Sequence, residues 1–323
     1  MKILFHTNTL NYRGTTVALR DYAHYNRTLL GNESVLAYDA SLDYFQDGGN
    51  EQEVVTRLQQ DYEVVDYSNR EQLYSYCKEN QIDVAYFIKS GSNDGLLVPN
   101  IKNVVHCVFQ DHDPHGDVYA YVSQWLSEKI TQSQYPWVPH IVQLPEPDPE
   151  FRQQFREAAE LEDKIVIGRY GGLSTFDLPW VHEALISFAD QNPNYHFVFV
   201  NTYQFTHHPS FLFVGTIEDP QKKSNYISTT DAMIHGRSNG ESFGLAISEF
   251  MLQNKPVFSW SGGHDGNHRL FLEGKDSLYD GPIDLMAKLS LLQEGYDFGD
   301  YKTIVDPFRP EPVMKKFQEI FLN

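Results

Sequence analysis

Short runs of β-branched and aromatic residues recur along the whole chain, and longer helix-compatible stretches separate them. The runs are continuously apolar and do not alternate with polar residues, so the strands they predict are buried on both faces. A parallel sheet flanked by helices is the arrangement that buries strands in this way. The first such run spans residues 2–8 and is followed by the turn Asn11-Tyr12-Arg13-Gly14 and a helical pattern over 15–30. Further strands are predicted at 34–40, 64–67, 83–89, 103–109, 119–123 and 141–144, with helices at 51–60 and 70–80. Three prolines in Leu144-Pro145-Glu146-Pro147-Asp148-Pro149 then interrupt the pattern, because proline continues neither a helix interior nor a central strand.

Beyond that linker and an acidic helical stretch at 150–162, the same grammar restarts. Strands are predicted at 164–168, 195–200, 211–215, 232–235 and 256–260. Helices are predicted at 178–191 and 313–321, and an amphipathic stretch at 243–253. A chain of 323 residues is long enough for two domains at roughly 100–200 residues each. The expected fold class is therefore α/β, with two Rossmann-like domains whose parallel sheets face a central cleft. The expected division is residues 1–145, residues 146–305 and a terminal helix over 306–323.

Charge excludes several function classes. The chain carries 44 acidic against 25 basic residues, a formal net charge of −19. Binding to a nucleic-acid backbone draws most of its affinity from a basic face, which this composition does not offer. No apolar run approaches the ~18 residues of a membrane span. The first residues enter a strand without a signal-peptide pattern, so a cytoplasmic location is expected. Cys77 and Cys107 both sit in apolar-leaning segments and are expected to be buried, reduced thiols.

The segment richest in chemistry is His235-Gly236-Arg237-Ser238-Asn239-Gly240-Glu241-Ser242-Phe243-Gly244-Leu245-Ala246-Ile247-Ser248-Glu249. It follows a strand and opens a helix, so Glu241 falls in the turn and Glu249 on the helix. The unpartnered amides around Ser242, Phe243 and Gly244, together with the helix dipole, form a seat for an anion or a sugar hydroxyl. Gly244 lets a ligand approach the backbone. The plain structural alternative is a dipole-complementing glutamate at a helix start and a solvated one on its flank. Spacing alone leaves both open.

Glu241-Ser-Phe-Gly-Leu-Ala-Ile-Ser-Glu249, followed by Lys255-Pro256-Val257, resembles the E-x7-E signature of retaining, family 4-type glycosyltransferases of GT-B fold. The usual wording there is E-G-F-G-L-x-x-x-E-A-M-A-x-G-x-P-V-V. Here Ser242 stands for the glycine, Phe250 for the alanine and Gln253-Asn254 for the small-residue turn. The resemblance implies transfer of a sugar from a nucleotide-sugar donor to an acceptor hydroxyl, with retention and without a tightly bound metal or other cofactor. It implies that Glu241 bonds the transferred sugar, that Glu249 holds the ribose, and that the amides of Ser242, Phe243, Gly244 and Leu245 cap the diphosphate. Ile167-Gly168-Arg169 resembles the family's Gly-Arg, whose arginine binds the diphosphate. The lysine that usually follows is missing between Tyr170 and Pro179, and Arg237 is the substitute expected here. Gly14 occupies the place of the family's N-terminal glycine turn, and Thr15 or Thr16 is a good N-cap in any case. His106 or His112 is the expected acceptor-side residue.

Other readings compete. A nicotinamide-dependent oxidoreductase would want G-x-G-x-x-G after the first strand, and residues 7–16 hold a single glycine. A non-catalytic sugar-nucleotide-binding paralogue would account for the missing lysine. Asp111-His112-Asp113-Pro114-His115 and His264-Asp265-Gly266-Asn267-His268 suggest a metal, but neither has H-E-x-x-H or cysteine ligands. Asn201, Thr202, Tyr203 and Thr216 follow strands and are candidates for donor contact. Lys222-Lys223 reads as a solvated helix start. The acceptor is expected to be soluble or presented by a partner, because no basic cluster marks a lipid-facing surface.

Overall fold

The computed structural model describes residues 1–42 and 49–323. Among them every strand pair is parallel. The chain divides into one unit made of residues 1–141 and 308–323 and a second made of residues 142–307.

The first unit contains β1 (Lys2–Thr7), α1 (Gly14–Thr28), β2 (Glu33–Asp39), α2 (Gln52–Leu58), β3 (Glu63–Tyr67) and α3 (Arg70–Glu79). It continues with β4 (Val84–Lys89), β5 (Lys102–Cys107), β6 (Val118–Tyr121) and α4 (Gln124–Thr131). Its sheet runs β3-β2-β1-β4-β5-β6. The second unit contains α5 (Phe151–Ala158), β7 (Ile165–Arg169), α6 (Pro179–Gln191), β8 (Tyr195–Val200), β9 (Phe211–Val214), α7 (Pro220–Thr229) and β10 (Ala232–His235). There follow β11 (Gly240–Glu241), α8 (Leu245–Leu252), β12 (Val257–Trp260), β13 (Asp265–Gly266), α9 (Asn267–Phe271), β14 (Leu278–Tyr279), α10 (Pro282–Gln293) and α11 (Lys302–Val305). Its main sheet runs β14-β12-β10-β7-β8-β9, and β11 pairs with β13 apart from it. The final helix, α12 (Pro310–Phe317), belongs to the first unit.

In each sheet the chain starts in the middle, moves outward to one side, then returns to fill the other. The reversal lies between β1 and β4 in the first unit and between β7 and β10 in the second. Loops diverge at such a switch point, and the crevice outside the strand ends is where open α/β sheets take ligands. The residues that end the four strands are Thr7, Lys89, Arg169 and His235.

The expected strand at 141–144 is absent. Ile141, Val142 and Leu144 are buried, so the apolar pattern reports burial correctly. A strand also needs a free ladder edge, and the edge of β6 is occupied at Tyr121 by the neighbouring segment. Tyr121 N–H donates to Pro136 O and Val138 N–H to Tyr121 O. The N-cap of α1 also differs from expectation. Arg13 takes that position without a side-chain cap, and Thr16 Oγ1 accepts from Asn11 N–H inside the preceding turn. Cys77 and Cys107 are buried and free, and burial pushes each thiol up to about 11. Among the described residues, no helix is long and apolar enough to cross a membrane.

The helix α12 is tied to the first unit by its aromatics. The Phe317 ring lies 5.2 Å from Tyr22, 5.4 Å from Tyr86 and 6.2 Å from Phe5. Phe321 lies 5.3 Å from His106. Phe317 is fully buried, so Phe317→Ala should cost about 3–5 kcal/mol through lost transfer energy and a residual cavity. Hydrogen exchange should then accelerate in β1 and β4 and stay unchanged in β7 and β10. Unchanged protection in β1 would show that α12 does not complete the core of the first unit.

Candidate functional site

The richest polar cluster in the second unit stands at its switch point. Arg169 ends β7 and is almost fully buried. Its Nη1 donates to Asn201 O at 2.8 Å and to Thr202 Oγ1 at 2.6 Å. Its Nη2 donates to Gly172 O at 2.9 Å and to Thr175 Oγ1 at 2.7 Å. All four acceptors are neutral, and among the described residues Arg169 makes no ion pair. Burial lowers its pKa to about 10, so the guanidinium stays charged at neutral pH. A buried cation whose direct partners are carbonyl and hydroxyl dipoles, with the Glu241 carboxylate acting on it from farther off, still favours an anion nearby. Asn201 adds to this frame: its Nδ2 donates to Gly171 O, and its Oδ1 accepts from Thr216 Oγ1. The Tyr203 side chain is exposed, and its backbone N–H donates to Leu173 O, joining the same two loops.

Glu241 sits across the reversal, in the short ladder of β11 with β13. Gly240 has φ +74°, and a Cβ there would lie 2.0 Å from Asp265 O. That ladder therefore requires glycine immediately before the carboxylate. Glu241 Oε1 accepts from His235 Nε2 at 3.0 Å, and Oε2 accepts from Arg237 Nη1 at 3.1 Å. Its backbone N–H donates to His268 Nδ1 at 3.3 Å. His268 Nε2 in turn donates to Trp260 O, so its ring is neutral with the proton on Nε2. Burial holds the His268 pKa down at about 4, in keeping with that tautomer. Burial alone would raise the Glu241 carboxyl, but the His235 hydrogen bond and the Arg237 charge outweigh it and hold it at about 2.

Gly244 caps α8 in the left-handed region, with φ +97°. The helix proper starts at Leu245, so Ser242 and Phe243 belong to the turn. The open helical amides are those of Leu245, Ala246 and Ile247, shifted from the expected 242–244. Phe243 is buried, whereas Ser242 and Leu245 are partly exposed beside Glu241.

Glu249 faces inward from α8 and is not solvated. It is 2% exposed and accepts from Lys223 Nζ at 2.7 Å. The expectation of a solvated start for α7 therefore holds for Lys222, which is exposed, and fails for Lys223, which is buried. Lys223 Nζ also lies 4.9 Å from the Tyr170 ring centroid, beside Arg169. The structure thus supplies a lysine to this neighbourhood from α7, although residues 170–179 contain none.

In the first unit, His106 is fully buried, with Nδ1 bonded to Tyr86 Oη at 2.6 Å and Nε2 to Val138 O at 2.8 Å. Both ring nitrogens are used, and burial lowers its pKa to about 4. His106 is a satisfied core residue and offers nothing to an acceptor, which corrects the expectation for it. His112 is exposed after β5, with Nδ1 bonded to Tyr121 Oη at 2.7 Å. Gly14 is exposed at the first turn of α1, and a Cβ there would meet nothing within 4 Å. Among the described residues no cluster of His, Cys, Asp and Glu could hold a metal ion.

Sequence reasoning missed His235, His268 and Lys223 as partners of the motif. His235 was visible as the last residue of a strand leading into it. Nothing in the sequence marks Lys223, because its burial depends on which face of α7 packs inward.

No family model matches the chain, and no curated protein matches its sequence. Solved structures match over nearly its whole length. Anabaena HepE in complex with UDP-glucose is 16% identical, covering 99% of this chain and 98% of that chain with a TM-score of 0.75. A glycosyltransferase from Rickettsia africae is 14% identical, covering 100% and 99% with a TM-score of 0.69. The pneumococcal O-GlcNAc transferase GtfA in complex with UDP and GlcNAc is 9% identical, covering 99% and 98% with a TM-score of 0.68. Identities this low establish the fold alone, which is the GT-B fold with two Rossmann-like α/β domains.

The depressed Glu241 pKa has a measurable consequence. Its carboxylate contributes stability that is fully present above the unfolded value of 4.5 and is lost as pH falls through about 2. Glu241→Gln should therefore destabilise the protein by about 2 kcal/mol at neutral pH. The gap to wild type should close as pH falls from 4.5 toward 2. Urea titrations at several pH values check this, and a gap independent of pH would remove the ionic clamp as its cause.

Proposed function

We propose that the protein is a glycosyltransferase that moves a sugar from a nucleotide-sugar donor to an acceptor hydroxyl with retention at the anomeric carbon. The observation that carries this reading is the Glu241 carboxylate, held ionised by His235 and Arg237 directly ahead of the open amides of α8. A carboxylate accepts hydrogen bonds from sugar hydroxyls, and helix amides stabilise phosphate oxygens. The HepE structures hold UDP or UDP-glucose and the GtfA structure holds UDP and GlcNAc, which makes uridine diphosphate sugars the first donors to test.

In this reading the bond between the anomeric carbon and the diphosphate oxygen breaks through an oxocarbenium-like state. The acceptor oxygen bonds to that carbon on the same face, and its proton passes to the departing phosphate oxygen. The products are a glycoside and a nucleoside diphosphate. Arg169, Arg237 and the open amides of Leu245, Ala246 and Ile247 at the start of α8 offset the growing diphosphate charge, so the mechanism calls for no resident metal. Glu249 accepts from the ribose while Lys223 Nζ, donating to Oε1, orients its carboxylate. Gly14 leaves the amides of the first turn of α1 unshielded for phosphate, and His112 stands on the acceptor side. The acceptor is soluble or partner-presented, and the reduced thiols favour a cytoplasmic location.

The second reading is a protein that binds nucleotide sugars without turning them over. The engagement of Arg169 with neutral protein acceptors and the lack of a lysine at 170–179 favour it. A thermal-shift panel of UDP-, GDP-, ADP- and CMP-sugars, followed by release of the nucleoside diphosphate, separates the two. A stabilising donor that is consumed by wild type and not by Glu241→Gln supports the transferase. Stabilisation with no release supports the second reading.

Arg169 gives a sharper check. Its charge addresses phosphate only, so Arg169→Ala should weaken UDP by about 1–3 kcal/mol and leave uridine nearly unchanged. Calorimetry that finds equal losses for both ligands would mean that Arg169 only braces the loops at residues 172 and 201.

A further inference from the structure

Histidines hold Glu241 at both its carboxylate and its backbone amide, and each ring must itself be kept from turning over. An imidazole rotated half a turn about its Cβ–Cγ bond exchanges each nitrogen for a carbon, so its hydrogen bonds last only while something fixes the ring. Consecutive residues at the end of β12 fix both rings.

His235 stands opposite Ser259 in the parallel β10–β12 register, so the two side chains share a face of the sheet. Ser259 is fully buried, and its Oγ lies 2.8 Å from His235 Nδ1. The hydroxyl has a second acceptor in Trp260 O, at 3.5 Å. Trp260 O already receives His268 Nε2 at 3.0 Å. The shorter contact takes the hydroxyl proton, so Nδ1 accepts from Ser259 and the ring proton sits on Nε2. That proton is the one donated to Glu241 Oε1 at 3.0 Å.

His268 is seated one residue further along. Its Nε2 donates to Trp260 O and its Nδ1 accepts from Glu241 N–H. Ser259 therefore anchors the ring on the Glu241 carboxylate, and Trp260 anchors the ring on the Glu241 amide. Tyr279 Oη donates to His235 O at 2.7 Å and fixes the strand end as well. His268 is fully buried and His235 nearly so, which leaves water little access to replace a lost partner.

The order of groups is that of a Ser-His-acid triad, but the exposure is reversed. The serine is in the core, whereas the Glu241 side chain is 20% exposed. The hydroxyl cannot meet a substrate as a nucleophile would. The relay runs outward and ends on a carboxylate whose oxygens each keep a lone pair for a further donor.

We infer that Ser259 is a positioning residue for sugar recognition: through His235 it keeps the Glu241 carboxylate turned to receive hydroxyls of the donor sugar. The inference rests on the reading of Glu241 as the sugar-binding carboxylate.

Calorimetry on the full chain with UDP-glucose and UDP tests both. Glu241 addresses the sugar only, so Glu241→Gln should weaken UDP-glucose and leave UDP unchanged. Ser259→Ala should reproduce that selectivity, with UDP-glucose weaker by about tenfold, the effect of one charged hydrogen bond. Ser259→Thr, which keeps the hydroxyl, should restore it. A general defect in β12 would weaken both ligands together and would overturn the inference. Nitrogen NMR of the His235 ring needs no ligand. Wild type should show a proton fixed on Nε2 and a hydrogen-bonded, bare Nδ1, and Ser259→Ala should move Nδ1 to the signal of an unbonded nitrogen. An Nδ1 signal that does not move overturns the brace. If Glu241→Gln is selective for UDP-glucose and Ser259→Ala is not, the inference fails and the sugar reading stands. If Glu241→Gln treats both ligands as wild type does, the sugar reading fails and takes the inference with it.

Discussion

Parallel pairing is the constraint on which the rest of the structure depends. When every strand of a sheet runs the same way, all strand ends fall on one edge and every return connection crosses a face. The reversal of strand order then opens a crevice at a fixed place on that edge. In the second unit Arg169 and His235 end the two strands that flank the reversal, and the E-x7-E segment follows directly on β10. In the first unit Thr7 and Lys89 stand in the equivalent places. The chemistry of each unit is concentrated where topology leaves the backbone room.

Electrostatics at these edges runs against the composition. A chain of net charge −19 has an acidic surface, yet Lys89, Arg169 and Lys223 are buried cations at or near the switch points. Burial disfavours each of these charges, and the three environments offset it differently. Arg169 relies on neutral carbonyl and hydroxyl acceptors, Lys223 on the buried Glu249, and Lys89 on a carboxylate that reaches solvent. The first arrangement leaves positive field for an anion. The second yields a neutral, rigid pair, and the third presents an ionised acid. Glu241 completes the set from the acidic side, with a histidine and an arginine holding it charged.

Much of the fold was legible because continuous apolar runs have one economical solution. The runs at β1, β4, β8 and β10 are buried almost throughout, as doubly covered strands must be. The run at 141–144 was read wrongly for an instructive reason. Hydrophobicity records burial, whereas a ladder also needs a partner edge, and no local pattern shows that residues 136–138 already hold the edge of β6. By contrast, Glu241 and Gly244 stood out by type and spacing, and Arg169 through the resemblance of Gly168-Arg169 to the family's Gly-Arg. His106 could not be separated from His112, because a histidine at a strand end looks the same whether its ring points into the core or out of it.

The sequence by itself determined the class of structure, two parallel α/β units with a chemically loaded turn in the second, because strand burial and glycine placement are written locally. It also determined that the loop at 170–179 brings no lysine. Only tertiary structure decided that Lys223 enters that neighbourhood from α7, that His235 and Arg237 hold Glu241 charged, and that α12 completes the core of the first unit. The Lys223 and α12 contacts join segments distant in sequence, whereas His235, Arg237 and Glu241 are near neighbours that meet because the turn after β10 folds back on itself. Such contacts are fixed by packing and by the satisfaction of buried charge, which residue type alone does not show.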